Sequence, residues 1–257
     1  MTHTRGEREG GAAADAEAAV FLSVVIPAYN EEARIGPTLA RVVAYLASRP
    51  YSYEILVVDN ACTDSTPQLV ARFAADYPRV RLLQELQRGK GAAVRTGFLA
   101  ARGEHLLFSD ADLATPIEEA DKLLQAIEQG ADVAIGSRGL AASVLVVHQP
   151  WYRERMGRVF GALVRLIALP GIADSQCGFK LFRRPAGREI FRRLTITGWA
   201  FDAEALFLAR RLGYRVAEVP IRWIDSRGSK VNPLRDPLRM LWDLIGVRLR
   251  AWQGRYQ

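Results

Sequence analysis

The chain contains few of the residues that form disulfide frameworks or structural metal sites. Only two cysteines and three histidines occur among its 257 residues. The cysteines, Cys62 and Cys177, belong to no CxxC motif. We therefore expect neither a disulfide-stabilised extracellular domain nor a structural zinc site, and a reducing compartment is the default for such a chain.

Long hydrophobic runs are also missing. The most apolar stretch, residues 159–169, is interrupted by Arg165 and is shorter than the roughly 20 apolar residues that span a bilayer. Residues 1–19 mix Arg, Glu, Gly and Ala without an apolar segment, so we expect a flexible tail and no secretory signal. The sequence predicts no membrane-spanning helix of its own.

The charges that are present are distributed unevenly. Residues 1–149 contain 14 basic and 19 acidic residues, a balance of −5, whereas residues 150–257 contain 21 and 9, a balance of +12. A basic half of this kind indicates a polyanionic partner, which is nucleic acid, an anionic membrane surface or a phosphorylated substrate. Because the sequence contains no recognised module with interleaved aromatic and basic residues, we expect no nucleic-acid partner.

The composition is typical of a folded domain, with 49% hydrophobic and 25% charged residues. In the first half, short apolar runs alternate with segments of helical periodicity, which predicts an α/β fold with a mostly parallel central sheet flanked by helices. Thr66 is expected to cap the second helix, with Pro67 at its first position. Amphipathic helices are predicted at 151–169 and about 235–252. The apolar stripe of the latter consists of Leu238, Leu241, Ile245, Leu249 and Trp252.

Polar residues follow four of the predicted strands at the point where each strand ends. They occupy residues 27–31, 59–64, 84–91 and 109–112. Ligands of open parallel sheets bind beyond the carboxyl ends of the strands. We therefore expect these four segments to line one crevice.

Three patterns at these strand ends suggest chemistry. Asp110 and Asp112 suit a divalent cation held together with phosphate oxygens, although aspartates at such positions also cap helices and form turns. Asp59 is suited to accept hydrogen bonds from a ribose or base, or from the amides of its own turn. Lys90, which two glycines flank before a helix, favours phosphate, but the spacing is not that of a Walker A loop.

The order of the motifs along the chain is the most specific signal. Residues 23–138 contain, in this order, VVIPAYNEE, EILVVDNACTDST, RGKGAAVRTG, SDADLATP and GSR, and residues 173–233 continue with ADSQCGFKLF, WAFDAE and SRGSKVNP. This series resembles the family 2 glycosyltransferases with a GT-A fold. Its second part is similar to the branch that glucosylates dolichyl or polyprenyl phosphate, with the dolichyl-phosphate mannose synthases as close relatives.

The resemblance implies a role for each matching position. The residues that would bind a nucleotide-sugar donor are Pro27, Tyr29, Glu31, Asp59, Gly89, Lys90, Asp110 and Gln176. Those that would act in the transfer itself are Asp202, Arg138 and Asp112. The acceptor phosphate would be held by Arg138, Arg153, Arg158 and Lys230. A metal, Mg²⁺ or Mn²⁺, would be bound by Asp110 and Asp112.

Two motifs depart from the pattern of the family. Many relatives have Asp-Asp-Gly-Ser where this chain has residues 59–62 with Asn60 and Ala61, which costs the nucleotide loop one carboxylate and one glycine. The mannose synthases have a metal-binding Gln or His where Ala114 stands. One metal position would then be left to water or to a substrate oxygen.

The reaction that the resemblance implies is an inverting transfer of glucose from UDP-glucose to a polyprenyl phosphate of the dolichyl type. A phosphate monoester is mostly dianionic at neutral pH, since its second pKa is about 6, so a general base would add little. Asp202 is therefore expected to orient the substrates or stabilise charge as much as to act as a base. Another donor, such as GDP-mannose, and a soluble or cell-wall glycan acceptor remain alternatives.

The motifs suggest three regions along the chain. We expect a tail at 1–19, a catalytic domain at 20–232 and a basic amphipathic helix at 233–257. Within the catalytic domain, the nucleotide half is 20–138 and the acceptor half is 139–232. The basic charge and the Trp-containing helices indicate a peripheral enzyme at the cytoplasmic face of a membrane, either as a homo-oligomer or with a membrane-protein partner.

Overall fold

The structure, a computed structural model, describes residues 19–147, 157, 161–224 and 235–256 of the chain. In its first half, strands and helices alternate as the sequence predicts. These elements are β1 (Leu22–Ala28), α1 (Ile35–Ala47), β2 (Tyr53–Asp59), α2 (Thr66–Asp76), β3 (Val80–Gln84), α3 (Lys90–Ala100), β4 (His105–Ser109), α4 (Ala120–Glu128) and β5 (Val133–Ser137).

The second half is less regular, because strands and helices no longer alternate one by one. Its elements are β6 (Val144–Val147), α5 (161–167), β7 (Phe179–Arg183), α6 (Arg184–Arg193), α7 (Phe201–Arg211), β8 (Val216–Pro220), β9 (Arg222–Ile224) and α8 (Asp236–Trp252). The predicted helix at 151–169 is helical over 161–167, and most of its earlier residues lie outside the described part of the chain.

A seven-stranded sheet with the order β3-β2-β1-β4-β7-β5-β8 forms the centre of the fold, and β6 pairs with β9 in a separate sheet. β7 runs antiparallel to its neighbours β4 and β5, whereas the other pairs are parallel. The predicted α/β class with a mostly parallel sheet is therefore confirmed. The antiparallel strand was not expected, because most of it lies inside the motif ADSQCGFKLF, for which only a donor-binding role of Gln176 was predicted.

Helices cover both faces of this sheet, so its central strands are buried on both sides. Side chains that alternate along a strand enter two separate apolar clusters. On β1, Val24 and Ile26 pack with α1, α2 and α4, whereas Val25 faces α3, α6, α7 and α8. On β7, Phe179 and Leu181 belong to the first cluster and Phe182 to the second. The alternation therefore turns Lys180 towards the face that α7 covers.

The start of α2 differs from the expectation. Thr66 is the first residue of the helix rather than its cap. The carboxylate of Asp64 accepts the hydrogen bond from the Thr66 amide at 3.0 Å, and the Thr66 hydroxyl accepts one from the amide of Glu31 at 2.8 Å. The hydroxyl is thus used to join two strand-end loops and not to cap its own helix.

Helix α8 begins at Asp236, close to the predicted position. Its buried residues are Met240, Leu244 and Val247, which lie beside the predicted apolar stripe and not on it. On the stripe, Leu238, Leu249 and Trp252 are exposed. Among the described residues, no helix has both the length and the apolar character that crossing a bilayer requires.

Candidate active site

Asp110, which directly follows β4, is the point where three motifs meet. Its amide donates a hydrogen bond to the carbonyl oxygen of Gly178 at 3.1 Å, and its Oδ1 lies 2.6 Å from Nζ of Lys90. A Cβ atom added to Gly178 would lie 1.9 Å from Asp110 Oδ2. The QCGF motif therefore needs glycine here, because the backbone of that segment packs directly on the carboxylate.

Asp112 is held on a tight turn just beyond Asp110. Its Oδ1 accepts a hydrogen bond from the amide of Ala114 at 3.0 Å, and Leu113 between them has a left-handed φ of 47°. The Thr38 hydroxyl of α1 donates to the carbonyl of Ala111 at 2.7 Å and fixes the turn against the helix. Burial raises the pKa of Asp112, and the neighbouring Asp110 raises it further.

The two carboxylates fit a divalent cation that shares its coordination with a substrate. Asp110 and Asp112 are both part-exposed, as an ion with remaining water or phosphate ligands requires. Among the described residues, no group of three or more His, Cys, Asp and Glu side chains is arranged to hold a metal. Mg²⁺ is commonly bound by one or two carboxylates together with substrate phosphates, and this donor set matches that pattern.

The RGKG loop is pressed against the segment that precedes α7. Gly89 has a φ of 140°, and a Cβ atom there would lie 2.1 Å from the carbonyl oxygen of Thr197. Burial would lower the pKa of Lys90, but Asp110 and then Asp202 raise it above its ordinary value. Lys90 therefore stays charged beside both carboxylates.

Asn60 ties this loop to the end of β2. Its Nδ2 donates to the carbonyls of Glu85 and Gln87 at 3.3 and 2.7 Å, and its Oδ1 accepts from the amide of Gly89 at 2.8 Å. A carboxylate could not donate to those two carbonyls, which gives a physical reason for Asn in place of the family's second Asp. Asp59 Oδ1 accepts a hydrogen bond from the amide of Cys62 at 2.9 Å. Of the two roles predicted for Asp59, this oxygen therefore has the one of binding an amide of its own turn.

The loop after β1 joins the same crevice. The side-chain oxygen of Asn30 accepts a hydrogen bond from the amide of Thr63 at 2.8 Å, and Glu31 forms an ion pair with Arg34. The guanidinium of Arg88 lies 5.6 Å from the ring centroid of Tyr29. Three of the four predicted strand-end segments are thus linked by these bonds, and the fourth joins them through Lys90 and Asp110.

Asp202, in the first turn of α7, is buried against a lysine that the sequence analysis missed. Lys180 Nζ lies 2.5 Å from Asp202 Oδ1, with the two side chains only 1% and 5% exposed. Burial raises the pKa of Asp202, whereas Lys180 and then Lys90 oppose this rise. A lysine inside the apolar run FKLF was the available signal, since a buried lysine needs a partner.

Arg138 at the end of β5 is engaged by a second carboxylate that the sequence analysis missed. Its Nε and an Nη lie 2.7 and 3.0 Å from the two oxygens of Asp174. Burial alone would raise the pKa of Asp174, but the Arg138 guanidinium lowers it to about 2. The amide of Gln176 donates to the same carboxylate at 3.1 Å, so Asp174 connects Arg138 with the QCGF motif.

Most of the residues expected in the site are therefore found together at the carboxyl edge of the sheet. Arg153, Arg158 and Lys230 lie outside the described residues, and their roles stay predictions. Pro27 lies on β1 opposite Val58 of β2, at the same edge.

The sequence was compared with protein families and with curated proteins. The family model "Glycosyl transferase family 2" matches residues 23–191. The dolichyl-phosphate beta-glucosyltransferase of Dictyostelium discoideum is 37% identical over 248 residues, which cover 91% of this chain and 76% of the relative. The enzyme of the same name from Drosophila melanogaster is 38% identical over 250 residues, covering 92% and 77%.

Solved structures of similar shape are more distant in sequence. Mannosyl-3-phosphoglycerate synthase from Rubrobacter xylanophilus has a TM-score of 0.67 at 20% identity, covering 92% of this chain and 75% of that one. Glucosyl-3-phosphoglycerate synthase from Mycobacterium tuberculosis, in complex with Mn²⁺ and uridine-diphosphate-glucose, has a TM-score of 0.64 at 22% identity, covering 95% and 84%. These likenesses support the same fold.

Proposed function

The chain belongs to glycosyl transferase family 2, and from this premise we propose that it transfers glucose from UDP-glucose to a polyprenyl phosphate of the dolichyl type. The observation that carries the proposal is the contact of Asp110 with both Lys90 and Gly178. It joins the motifs expected for the diphosphate, the metal and the sugar at one point. The activity named for the relatives from Dictyostelium and Drosophila supports this choice of donor sugar and acceptor.

The donor would lie in the crevice between the loops that follow β1, β2 and β3. Its diphosphate would approach Asp110, Asp112 and Lys90, where Mg²⁺ or Mn²⁺ would be held by the two carboxylates. The Mn²⁺ and uridine-diphosphate-glucose in the mycobacterial structure support this arrangement. When bound, the metal neutralises charge on the departing diphosphate. Lys90 supplies a further positive charge, because the surrounding carboxylates raise the pKa of its amino group and keep that group protonated.

The acceptor phosphate would attack the anomeric carbon on the side opposite the diphosphate. The bond from that carbon to the UDP oxygen breaks as the bond to the acceptor oxygen forms, so an α-linked donor yields a β-linked product. No proton has to be removed from a dianionic phosphate. The chain's contribution is therefore to align the two substrates and to stabilise the charges that develop during transfer.

Asp202 suits the role of stabilising positive charge on the sugar better than that of a base. Its Oδ1 is already occupied by Lys180 at 2.5 Å, and proton transfer to the carboxylate would cost this buried ion pair. A fixed negative charge beside the sugar instead favours an oxocarbenium-like transition state. Arg138, Arg153, Arg158 and Lys230 are proposed to hold the acceptor phosphate.

A membrane surface would bring the lipid acceptor to the enzyme. Helix α8 exposes Trp242 and Trp252 at 73% and 87%, and α5 exposes Leu166 at 80%. Arg239 and Arg248 are exposed on α8 as well. Apolar side chains next to arginines are typical of helices that lie in the interface of an anionic bilayer. We propose that the enzyme attaches in this way to the cytoplasmic face of a membrane.

The experiment that tests the proposal is a transfer assay with labelled UDP-glucose or GDP-mannose. The acceptors are a short polyprenyl phosphate and, as the soluble alternative, 3-phosphoglycerate, each with and without Mg²⁺ or Mn²⁺. We expect a glucosylated lipid from UDP-glucose only when the metal is present. Asp112→Asn should remove this activity, whereas Asp76→Asn, at the exposed end of α2, should retain it. The absence of lipid product from every donor would refute the proposal.

A further inference from the structure

We propose that Lys180 is a positioning residue for sugar transfer, which holds the Asp202 carboxylate at the site and keeps it negatively charged. The inference rests on the proposed function, in which Asp202 stabilises the transferring sugar. The sequence marks Lys180 only as a charged residue inside the apolar run FKLF. Its placement in the sheet is what assigns it a function.

Lys180 occupies an unusual position for a charged residue. It lies on β7, which has a neighbouring strand on each side, and it is paired in register with Phe108 of β4 and Ile135 of β5. Its side chain is 1% exposed, and its Nζ lies 5.8 Å from the centroid of the Phe108 ring. A charge placed among such groups loses its hydration and requires compensating partners.

The partners of Lys180 connect two parts of the site. Its Nζ lies 2.5 Å from Asp202 Oδ1 and also donates to the carbonyl oxygen of Cys177. Cys177 belongs to the QCGF motif, whose next residue, Gly178, packs on Asp110. The ammonium group of Lys180 thus joins α7 to the QCGF segment, which packs on the proposed metal ligand Asp110.

The other charged groups around Asp202 do not replace Lys180. Lys90 of α3 acts on it more weakly, and Asp110 at the end of β4 disfavours its charge. Lys90 is in addition paired with Asp110 at 2.6 Å. Lys180 is therefore the main group that opposes the effect of burial on Asp202. Without it, the pKa of Asp202 would rise further, which favours the protonated form over the charge that the transition state uses.

Stability alone is a poor explanation for this pair. Buried ion pairs are often no more stabilising than apolar side chains of similar volume, because desolvation offsets their attraction. The charges are accounted for by a function at the edge of the crevice.

The first test compares the pH dependence of sugar transfer in variants. In Lys180→Met, kcat/KM should fall about 100-fold at pH 7. As pH is raised above 7, kcat/KM should recover about tenfold per pH unit, because Asp202 regains its charge. The double variant Lys180→Met/Asp202→Asn should be no less active than Asp202→Asn alone, because Lys180 acts through that carboxylate. Lys122→Met is the matched control, since Lys122 on α4 is half-exposed and forms an ion pair with Glu119, the residue that precedes the helix.

The second test is independent of activity. In Lys180→Met, the folded-state pKa of Asp202 should lie well above its unfolded value of about 4. Between these two values the folded protein binds more protons than the unfolded chain, so its free energy of unfolding should fall as pH rises. Urea unfolding between pH 4 and 8 should show this slope in Lys180→Met and not in Lys180→Met/Asp202→Asn.

The outcomes separate the two proposals. If the wild-type protein transfers no sugar, the proposed function is wrong, while the unfolding slope still decides whether Lys180 keeps Asp202 charged. A Lys180→Met variant with the wild-type pH profile, or with a loss that adds fully to that of Asp202→Asn, would overturn the inference. If Lys180→Met does not fold, a folded double variant supports the pairing, and an unfolded one makes Lys180 a scaffold residue and overturns it.

Discussion

The two halves of the chain each contain a lysine paired with an aspartate, but in different surroundings. Lys90 and Asp110, from the first half, are 18% and 31% exposed at the mouth of the crevice. Lys180 and Asp202, from the second half, are 1% and 5% exposed beneath it. The first pair is open to a ligand, whereas the second pair is almost completely buried by protein.

This difference assigns distinct tasks to the halves. The first half presents loops from successive strands of a regular βα sheet, and a ligand can enter between their charged groups. The second half inserts the antiparallel β7 and covers the sheet with α7, which encloses its charges. Gly178 is where the two arrangements touch, because its backbone packs on Asp110.

The largest effect is expected from Gly178→Ala, which separates the two halves at this contact. A Cβ atom 1.9 Å from Asp110 Oδ2 forces the carboxylate or the loop to move, and a displacement near 1 Å costs about 100-fold in rate. Transfer assays over a range of Mn²⁺ concentrations would measure the loss. The control is Gly36→Ala, whose Cβ would meet no atom within 4 Å; equal activity of both variants would contradict this packing argument.

Asp174→Asn tests a carboxylate of the second half that is only 10% exposed and is paired with Arg138 of the first half. Since Arg138 lowers the pKa of Asp174 to about 2, the pair contributes about 2 kcal/mol at neutral pH. A lowered pKa stabilises the fold above the unfolded value of about 4, and this stability is lost as pH falls towards 2. Urea unfolding at pH 7 and pH 3 should show a difference from wild type that shrinks with acid.

The matched control for Asp174→Asn is Glu118→Gln. It breaks the exposed ion pair between Glu118 and Arg41 of the first half, and exposed pairs contribute little. If Asp174→Asn unfolds at the same urea concentration as the wild type at pH 7, the buried carboxylate contributes no more to stability than the exposed ion pair does, and the prediction is wrong.

A smaller effect is expected for the exposed apolar residues, which also differ between the halves. Trp252→Glu or Trp242→Glu on α8 should weaken binding to phosphatidylserine-containing vesicles about tenfold, by loss of apolar burial in the interface. Leu86→Glu is the control, because Leu86 is 74% exposed in the first half. Vesicle co-sedimentation would measure both, and equal weakening in the control would contradict a membrane face on α8.

The smallest effect concerns the attachment of α8 to α7. The Tyr256 hydroxyl donates to the buried carboxylate of Glu204 at 2.5 Å, and Tyr256→Phe should lower the free energy of unfolding by about 1 kcal/mol. Glu204 keeps its bonds from the amides of Thr195 and Ile196, so the loss stays small. Tyr77→Phe, at an exposed ring, should change nothing in the same denaturation experiment.

Much of the first half could be predicted from the sequence. Alternating apolar and amphipathic segments indicate parallel βα units, and parallel strands place their carboxyl ends at one edge, so Asp59, Lys90 and Asp110 had to lie near one another. The capping role of Thr66 was predicted wrongly. Its hydroxyl serves a residue on another loop, Glu31, and local helix rules do not include such distant partners.

The second half could be predicted much less well. The strand β7 was hidden inside a motif, and two partners of expected site residues, Asp174 and Lys180, were missed. Their partners Arg138 and Asp202 are 36 and 22 residues away along the chain. A side chain reveals its ion-pair partner only when the fold has brought both together.

The sequence by itself determined the α/β class, the mostly parallel sheet and the set of motifs at its carboxyl edge. These follow from hydrophobic periodicity and from the order of residues, which are properties of neighbouring positions. Only the tertiary structure decided which charges are enclosed and which stay open to a ligand. Burial and electrostatic pairing depend on contacts between distant segments, so Lys90 and Lys180 acquire different chemical roles only once β7 and α7 are in place.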